Sequence, residues 1–313
     1  MKWNREATLF LLILALLVVA AVVEPKFVPL RSQTLLATHL WELAIIAVPM
    51  LLIIVTGGID LSVGSMIALS AVATGILYEK GVPPYAAAAI GILVGGLQGA
   101  LNGWFVAKMK VHPLLVTLAS LAAFRGIAEG ISLARPISGY PDSFLFIGQG
   151  WIPPLTFLVL LLAAWMTLSK TIWGRWIIAI GTEERVSRFS LIPVDSVKLA
   201  LYTLSGLACG VAAAILVARS NTAKADMGMG MELEAITAVV LGGASIEGGK
   251  GRVSGLLLGL VLIHLTKEFV SWHWKQNELN FIVIGALLIG AVLLERAFES
   301  RRKTVRTEVE SSA

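Results

Sequence analysis

The sequence predicts an all-α, polytopic membrane protein of about ten transmembrane helices, the second and eighth of them broken or short. Of its 313 residues 57% are hydrophobic and only 14% charged, too little polar surface to coat a soluble globule of this size. Apolar stretches of spanning length recur along nearly the whole chain, since a helix needs about 17 to 25 residues to cross a hydrocarbon core. Glycine pairs also interrupt the apolar pattern at two places, Gly57-Gly58 and Gly242-Gly243, where a continuous helix is not the natural reading.

Taken in order, residues 7–23 form the first span. Lys2 and Arg5 ahead of Ala7 imitate a signal peptide, yet Val22, Val23 and Glu24 make a poor small-residue cleavage site. The second span, 40–56, runs at once into Thr56-Gly57-Gly58, and the third occupies 61–78. Spans at 85–107, 112–132, 153–169 and 199–219 follow as plain apolar runs. The eighth, 235–246, is too short to cross as a straight helix, and 252–270 and 279–295 complete the set. Non-helical backbone at membrane depth persists only where protein or a water-filled cavity satisfies it, so both breaks point inward as elements of a pathway. This organisation gives one membrane domain, 1–298, with a polar segment at 170–198 and a tail at 299–313.

The two breaks echo one another. Val55-Thr-Gly-Gly-Ile-Asp-Leu-Ser-Val-Gly64 and Val240-Leu-Gly-Gly-Ala-Ser-Ile-Glu-Gly-Gly249 share the pattern V-x-G-G-x5-G. Internal repeats are common in transporters, with sites at the interface between halves. Among 30 glycines the same pattern also arises by coincidence.

A pI near 9.4 raises nucleic acid as a partner, but the basic residues lie in short connections and at the termini, which is the signature of membrane topology. Lys2 and Arg5, Lys108 and Lys110, the group from Lys170 to Lys198, Lys250 and Arg252, and the group from Arg296 to Arg306 all fall on one side if ten spans are counted. Both termini are then cytoplasmic. Lys26, Arg31 and Lys267 to Lys275 weaken the contrast.

Enzymatic chemistry finds no constellation. Lys250 follows Gly248-Gly249 as in a phosphate loop, but Ala244 stands where the first glycine belongs and Gly251 where Ser or Thr would hold magnesium. Ser254 likewise replaces the third glycine of a dinucleotide fingerprint. The four histidines, 39, 112, 264 and 273, are isolated, and the single cysteine, Cys209, lies in an apolar run, so no metal site or disulfide framework is expected. No cofactor is expected on this chain.

Gly57-Gly-Ile-Asp-Leu-Ser-Val-Gly-Ser65 resembles the ribose-type permease family of bacterial ABC importers. Gly99-x-x-Asn102-Gly103, Pro113-x-x-x-Thr117-Leu118, Arg125-Gly126, Gly174-Arg175 and Ala179-x-Gly181 then arrive in the family's order, and the block from Glu234 to Gly251 is its most specific match. The resemblance covers roughly residues 40 to 295. It implies a subunit of the bacterial inner membrane that works with a second permease, identical or paralogous, two cytoplasmic ATPase subunits that use ATP-Mg, and a periplasmic binding protein that delivers a sugar. It also implies that a cytoplasmic segment, here 170–198, transmits the ATPase motion.

Within that segment Thr182 to Ser190 reads as a short coupling helix, with Glu183, Glu184, Arg185 and Arg188 on successive turns after Gly181 and with Pro193 stopping it at or before Ile192. The bland alternative is a solvated connector. The family's pattern has two alanines and then a glycine before the isoleucine. Arg185-Val186 and Leu191 stand there instead, which points to a member working beside a non-identical permease, as in the rhamnose and autoinducer-2 branches.

Ionisable residues inside spans are costly and therefore suspect. Asp60 with Ser62 reads as a cap for the third span or as a solute contact. Arg125 and Glu129, four apart, read as an internal pair or as solute ligands. Gln98 and Asn102 either line the pathway or glue helices beside Gly95 and Gly99, and Gly242 and Gly243 join the pathway candidates at the second break. Few charges fit a small neutral solute such as a monosaccharide. The rivals are a secondary transporter, which needs a relay of buried carboxylates, and a branched-chain amino-acid permease.

Overall fold

Every residue of α3 (Trp41–Val55) from Glu42 to Val55 is buried, so this apolar helix lies inside protein and not against lipid. The computed structural model, which describes residues 5–276 and 278–293, builds the bundle around it. The tail at 299–313, the end of the tenth span, Lys2 and the basic residues from Arg296 to Arg306 lie outside the described residues.

The remaining helices are α1 (Arg5–Val23), α2 (Leu30–Leu36), α4 (Val63–Glu79), α5 (Pro84–Ala107), α6 (Pro113–Ser132), α7 (Asp142–Leu145), α8 (Ile152–Lys170), α9 (Ile172–Thr182), α10 (Glu184–Phe189), α11 (Val194–Ser220), α12 (Met231–Leu241), α13 (Val253–Trp274) and α14 (Leu279–Leu293). Each expected span has a helix at its place. Six of them (α1, α5, α6, α8, α11 and α13) are long and apolar enough to cross a membrane, or seven if α2 and α3, bent by 59° between them, form one span. The helices α4 and α14 are shorter, and α12 is shorter still. Prolines set several starts, since Pro84 and Pro113 occupy the first helical position and Pro193 caps α11, where a missing N–H costs nothing.

The tightest helix pair is α5 with α11, and glycine is the reason. A Cβ on Gly99 would overlap the carbonyl oxygen of Tyr202, and one on Gly206 would overlap that of Gly95. Small residues let two backbones approach this closely, which is how helices associate where lipid removes the hydrophobic incentive. The same device joins α12 to α13 through Gly242, Gly255 and Gly259. Along α1 and α13 polar contacts fix both ends: Ser254 donates to Glu6 at 2.7 Å, and His273 meets Glu24 at 2.9 Å. On the far end of the bundle a two-residue antiparallel ladder pairs Ile137 with Ala223 and Ser138 with Thr222, tying the loop after α6 to the end of α11.

Helix α6 is sparsely covered within the chain. It buries only Val116, Thr117, Ser120, Phe124, Ala128 and Ser132, while Gly126 and Gly130 face open space with nothing within 4 Å.

Candidate functional site

The first glycine break is sealed by a polar network. The Asp60 carboxylate accepts from the Ser62 amide at 3.0 Å, from the Ser62 hydroxyl at 2.6 Å and from Ser205 of α11 at 3.0 Å. Ser62 in turn accepts from Asn102 of α5 at 2.8 Å, and Asn102 accepts from Ser120 of α6 at 2.5 Å. Tyr202 donates to the Ile59 carbonyl at 3.2 Å. Asp60, Ser62 and Asn102 are all completely buried, so the network satisfies the non-helical backbone between α3 and α4 from within the protein. Asp60 thus organises the turn ahead of α4, and Asn102 binds helices together. One turn away Gln98 accepts from Ser70 at 3.4 Å, and its amide nitrogen is buried without a hydrogen-bond partner among the described residues.

Arg125 departs from the pairing expected along its own helix. Its guanidinium reaches across to donate to the carbonyls of Ala225 and Met227, the latter at 3.0 Å, and so holds the non-helical stretch that leads into α12. Glu129 is exposed and instead lines a cavity of about 400 Å³ with Ala134, Pro136, Lys224, Ala225 and Asp226. Beneath that stretch Glu232, in the first turn of α12, packs a carboxylate oxygen against Gly64 of α4, and that oxygen has no hydrogen-bond partner among the described residues. Charged groups from α6 and the stretch between α11 and α12 thus meet at the cavity, and Glu232 of α12 lies beside the start of α4.

The second break differs from the first. Gly242 packs against Gly255 and Leu256, and Gly243 adopts a φ of +97° at the turn. The repeated V-x-G-G-x5-G pattern marks a helix–break–helix unit in both places, yet its last glycine lies inside α4 at Gly64 and in a loop at Gly249. The two breaks meet directly, because the Gly249 amide donates to the Val55 carbonyl at 2.8 Å.

The polar segment at 170–198 holds α9 and then α10, the latter lying within the short helix expected over Thr182 to Ser190. The chain leaves helical geometry at Glu183, whose carboxylate accepts from the Arg185 amide at 3.3 Å as an N-cap, and α10 ends at Phe189, ahead of Pro193. Residues 194–198 belong to the first turn and a half of α11. Glu184 accepts from Arg188 at 2.8 Å and from Lys198 at 2.6 Å, and Arg188 also pairs with Asp195 at 2.6 Å. Burial pushes the Glu184 carboxyl up, but hydrogen bonds from Lys198 and Arg188 outweigh it and hold the group below the usual carboxylate range. These charges fasten α10 onto α11. Outward, α10 and the turn after it present large apolar groups beside the exposed Arg185: Val186, Phe189 and Leu191 are 59%, 88% and 91% exposed.

Two ion pairs between a buried carboxylate and a half-buried cation were not among the sequence candidates. Lys267 of α13 meets Glu234 of α12 at 2.6 Å, and Arg219 of α11 meets the fully buried Glu42 of α3 at 3.0 Å. Lys267 is therefore a helical residue with a partner, not a connection charge. In sequence Glu42 and Lys267 fall inside the expected spans 40–56 and 252–270, Arg219 closes the span 199–219, and Glu234 stands just ahead of the span 235–246. Helical spacing offered a signal, because Glu234 begins the Glu-Ala-Ile-x-Ala-Val-Val block.

The family model described as branched-chain amino acid transport system / permease component matches residues 34–292. The chain is 34% identical to the autoinducer 2 import system permease protein LsrD of Escherichia coli (strain K12), over 97% of this chain and 96% of that protein. The LsrD proteins of Shigella flexneri and of Escherichia coli O157:H7 are similar to the same extent. No solved structure matches. The glycine-broken spans and the resemblance in motif order lie inside the matched region, and the chain belongs to this permease-component family, as an all-α membrane-spanning permease subunit.

Proposed function

We propose that this subunit forms half of the pore of an ATP-driven importer for a small, neutral, sugar-like solute in the inner membrane, with both termini in the cytoplasm. The observation that carries the reading is the α9–α10 arm. A helix bolted to the bundle by four charged side chains, with Phe189 and Leu191 almost wholly exposed, is shaped to dock a partner, and large exposed apolar groups on a polar segment mark an interface. The partners are two cytoplasmic ATPase subunits, which consume the ATP-Mg. A periplasmic binding protein delivers the solute, and a second permease, identical or paralogous, completes the pore.

The outward stripe of Ala119, Ala122, Gly126 and Gly130 on α6 supplies the close-packing face for that second permease. Solute passes beside Glu129, Lys224 and Asp226, whose charged groups line the cavity. The relatives' name makes autoinducer 2 the first cargo to test, and the family's description makes branched-chain amino acids the competitor. The sealed state of Asp60 supports an importer driven from outside over a proton-coupled carrier.

The test is reconstitution. Uptake of autoinducer 2 into proteoliposomes should require the ATPase, the binding protein and ATP, and uptake by this chain alone down an ion gradient would overturn the reading. Burying a Phe or Leu side chain is worth about 1.5–3 kcal/mol, so Phe189→Ala or Leu191→Ala should each weaken ATPase capture by roughly tenfold or more.

A further inference from the structure

Three stretches distant in sequence touch chiefly through backbone. The Val55 carbonyl, at the end of α3, accepts from the Gly249 amide at 2.8 Å. Gly181, at the end of α9, lies against that same pair so closely that a Cβ there would overlap both the Val55 oxygen and the Gly249 nitrogen. A Cβ on Gly248 would stand 2.7 Å from the Gly181 carbonyl oxygen and 2.9 Å from the Gly57 amide, and one on Gly249 would stand 2.8 Å from the Thr182 hydroxyl. Gly248 and Gly249 carry φ of +91° and +74°, a region that other residues enter only at a cost. The arm thus meets the ends of both broken spans at one glycine junction.

On this basis, and resting on the function proposed above, we infer that Gly181, Gly248 and Gly249 are positioning residues that relay displacement of the α9–α10 arm to both broken spans at once. A contact routed through side chains absorbs ångström-scale motion by rotamer change, whereas abutting backbones pass it on, because close-packed interiors deform little. Besides the packing of Gly174 on α8 and the buried Ile177 and Ile180, the arm has two attachments of opposite character at the joint between α9 and α10. Ion pairs from Glu184 and Arg188 hold α10 to α11, and three residues before Glu184, in the last turn of α9, Gly181 bears on α3 and on the loop between α12 and α13. A partner that pulls on Phe189 and Leu191 therefore turns the arm about α11 and shifts the two breaks together. A coupling route of this kind needs a demonstrated link between its ends, and the junction supplies a place to cut it.

The experiment uses the complete assembly of permeases, ATPases and binding protein in proteoliposomes. With Gly181→Ala the ATPase should still co-purify and hydrolyse ATP, while solute uptake drops tenfold or more and hydrolysis loses its stimulation by loaded binding protein. Gly285→Ala, with nothing within 4 Å of the added methyl, should leave uptake unchanged. In the unsubstituted assembly, amide hydrogen exchange in 176–182 and 245–252 should change together when nucleotide is trapped. Full uptake by Gly181→Ala, or independent exchange of the two segments, overturns the relay. Absence of any ATPase from the unsubstituted complex instead overturns the functional reading beneath it, and the relay with it.

Discussion

Asp60 and Ser205 are 145 positions apart in the chain, and a 3.0 Å hydrogen bond between them ties the first glycine break to α11. Removing the carboxylate leaves two buried hydroxyls and a backbone amide short of an acceptor, each worth about 1–3 kcal/mol. Asp60→Ala should therefore lower the melting temperature in detergent by several degrees. Asp60→Asn keeps an acceptor for Ser62 and offers Ser205 a donor, so it should restore most of the stability and retain uptake. Loss of uptake in a stably folded Asp60→Asn would show that the charge has a transport role.

The ion-pair cluster on the arm predicts a pH dependence. Glu184 sits below its unfolded value of 4.5, so its contribution is complete above that pH and disappears as the pH falls through the folded value. The melting-temperature gap between the native protein and Glu184→Gln should stay constant from about pH 8 to pH 5 and then shrink. A gap that keeps its size down to about pH 3 would contradict the assignment.

Lys267 and Glu234 test the cost of an unpaired charge inside the bundle. Breaking a buried pair by deleting one partner costs about 3–5 kcal/mol, while removing both is far milder. The single variant Lys267→Met should express poorly. The double variant with Glu234→Gln should recover much of the yield, and additive losses would mean the 2.6 Å contact carries no coupling.

Two kinds of glycine on spanning helices should respond oppositely to the same change. Gly206→Ala pushes a methyl into the Gly95 carbonyl, and overpacking of this sort costs about 1–3 kcal/mol, so folded yield should fall. Gly126→Ala meets nothing within the chain and should fold normally. Gly126→Leu should still fold yet lose pairing with the second permease, read by cross-linking or light scattering. Retention of the pair would move the interface off α6.

Hydropathy located a helix for every span because the solvent imposes it: in lipid the backbone must bond to itself, so each apolar run of sufficient length is a helix whatever surrounds it. The glycine pairs announced both breaks for a similarly local reason. Element ends were less legible. The run of 199–219 extends back to Val194, because Asp195 and Lys198 are neutralised by Arg188 and Glu184 and so remain helical. The break at Glu183 also escaped notice, since its signal is one carboxylate capping the next helix.

The sequence by itself determined that this chain lives in a membrane, where its helices are interrupted, and through its motifs which family it belongs to. Those properties follow from composition and from residues near one another in the chain. Only the tertiary structure decided what the polar residues do: that Asp60 and Asn102 seal a break, that Arg125 holds the carbonyls of Ala225 and Met227 instead of pairing with Glu129, and that the arm displays Phe189 while Gly181 bears on both breaks. A buried polar group must find a partner wherever the fold places one, and these partners lie on other helices, up to 145 positions away, which no spacing rule along the chain can reveal.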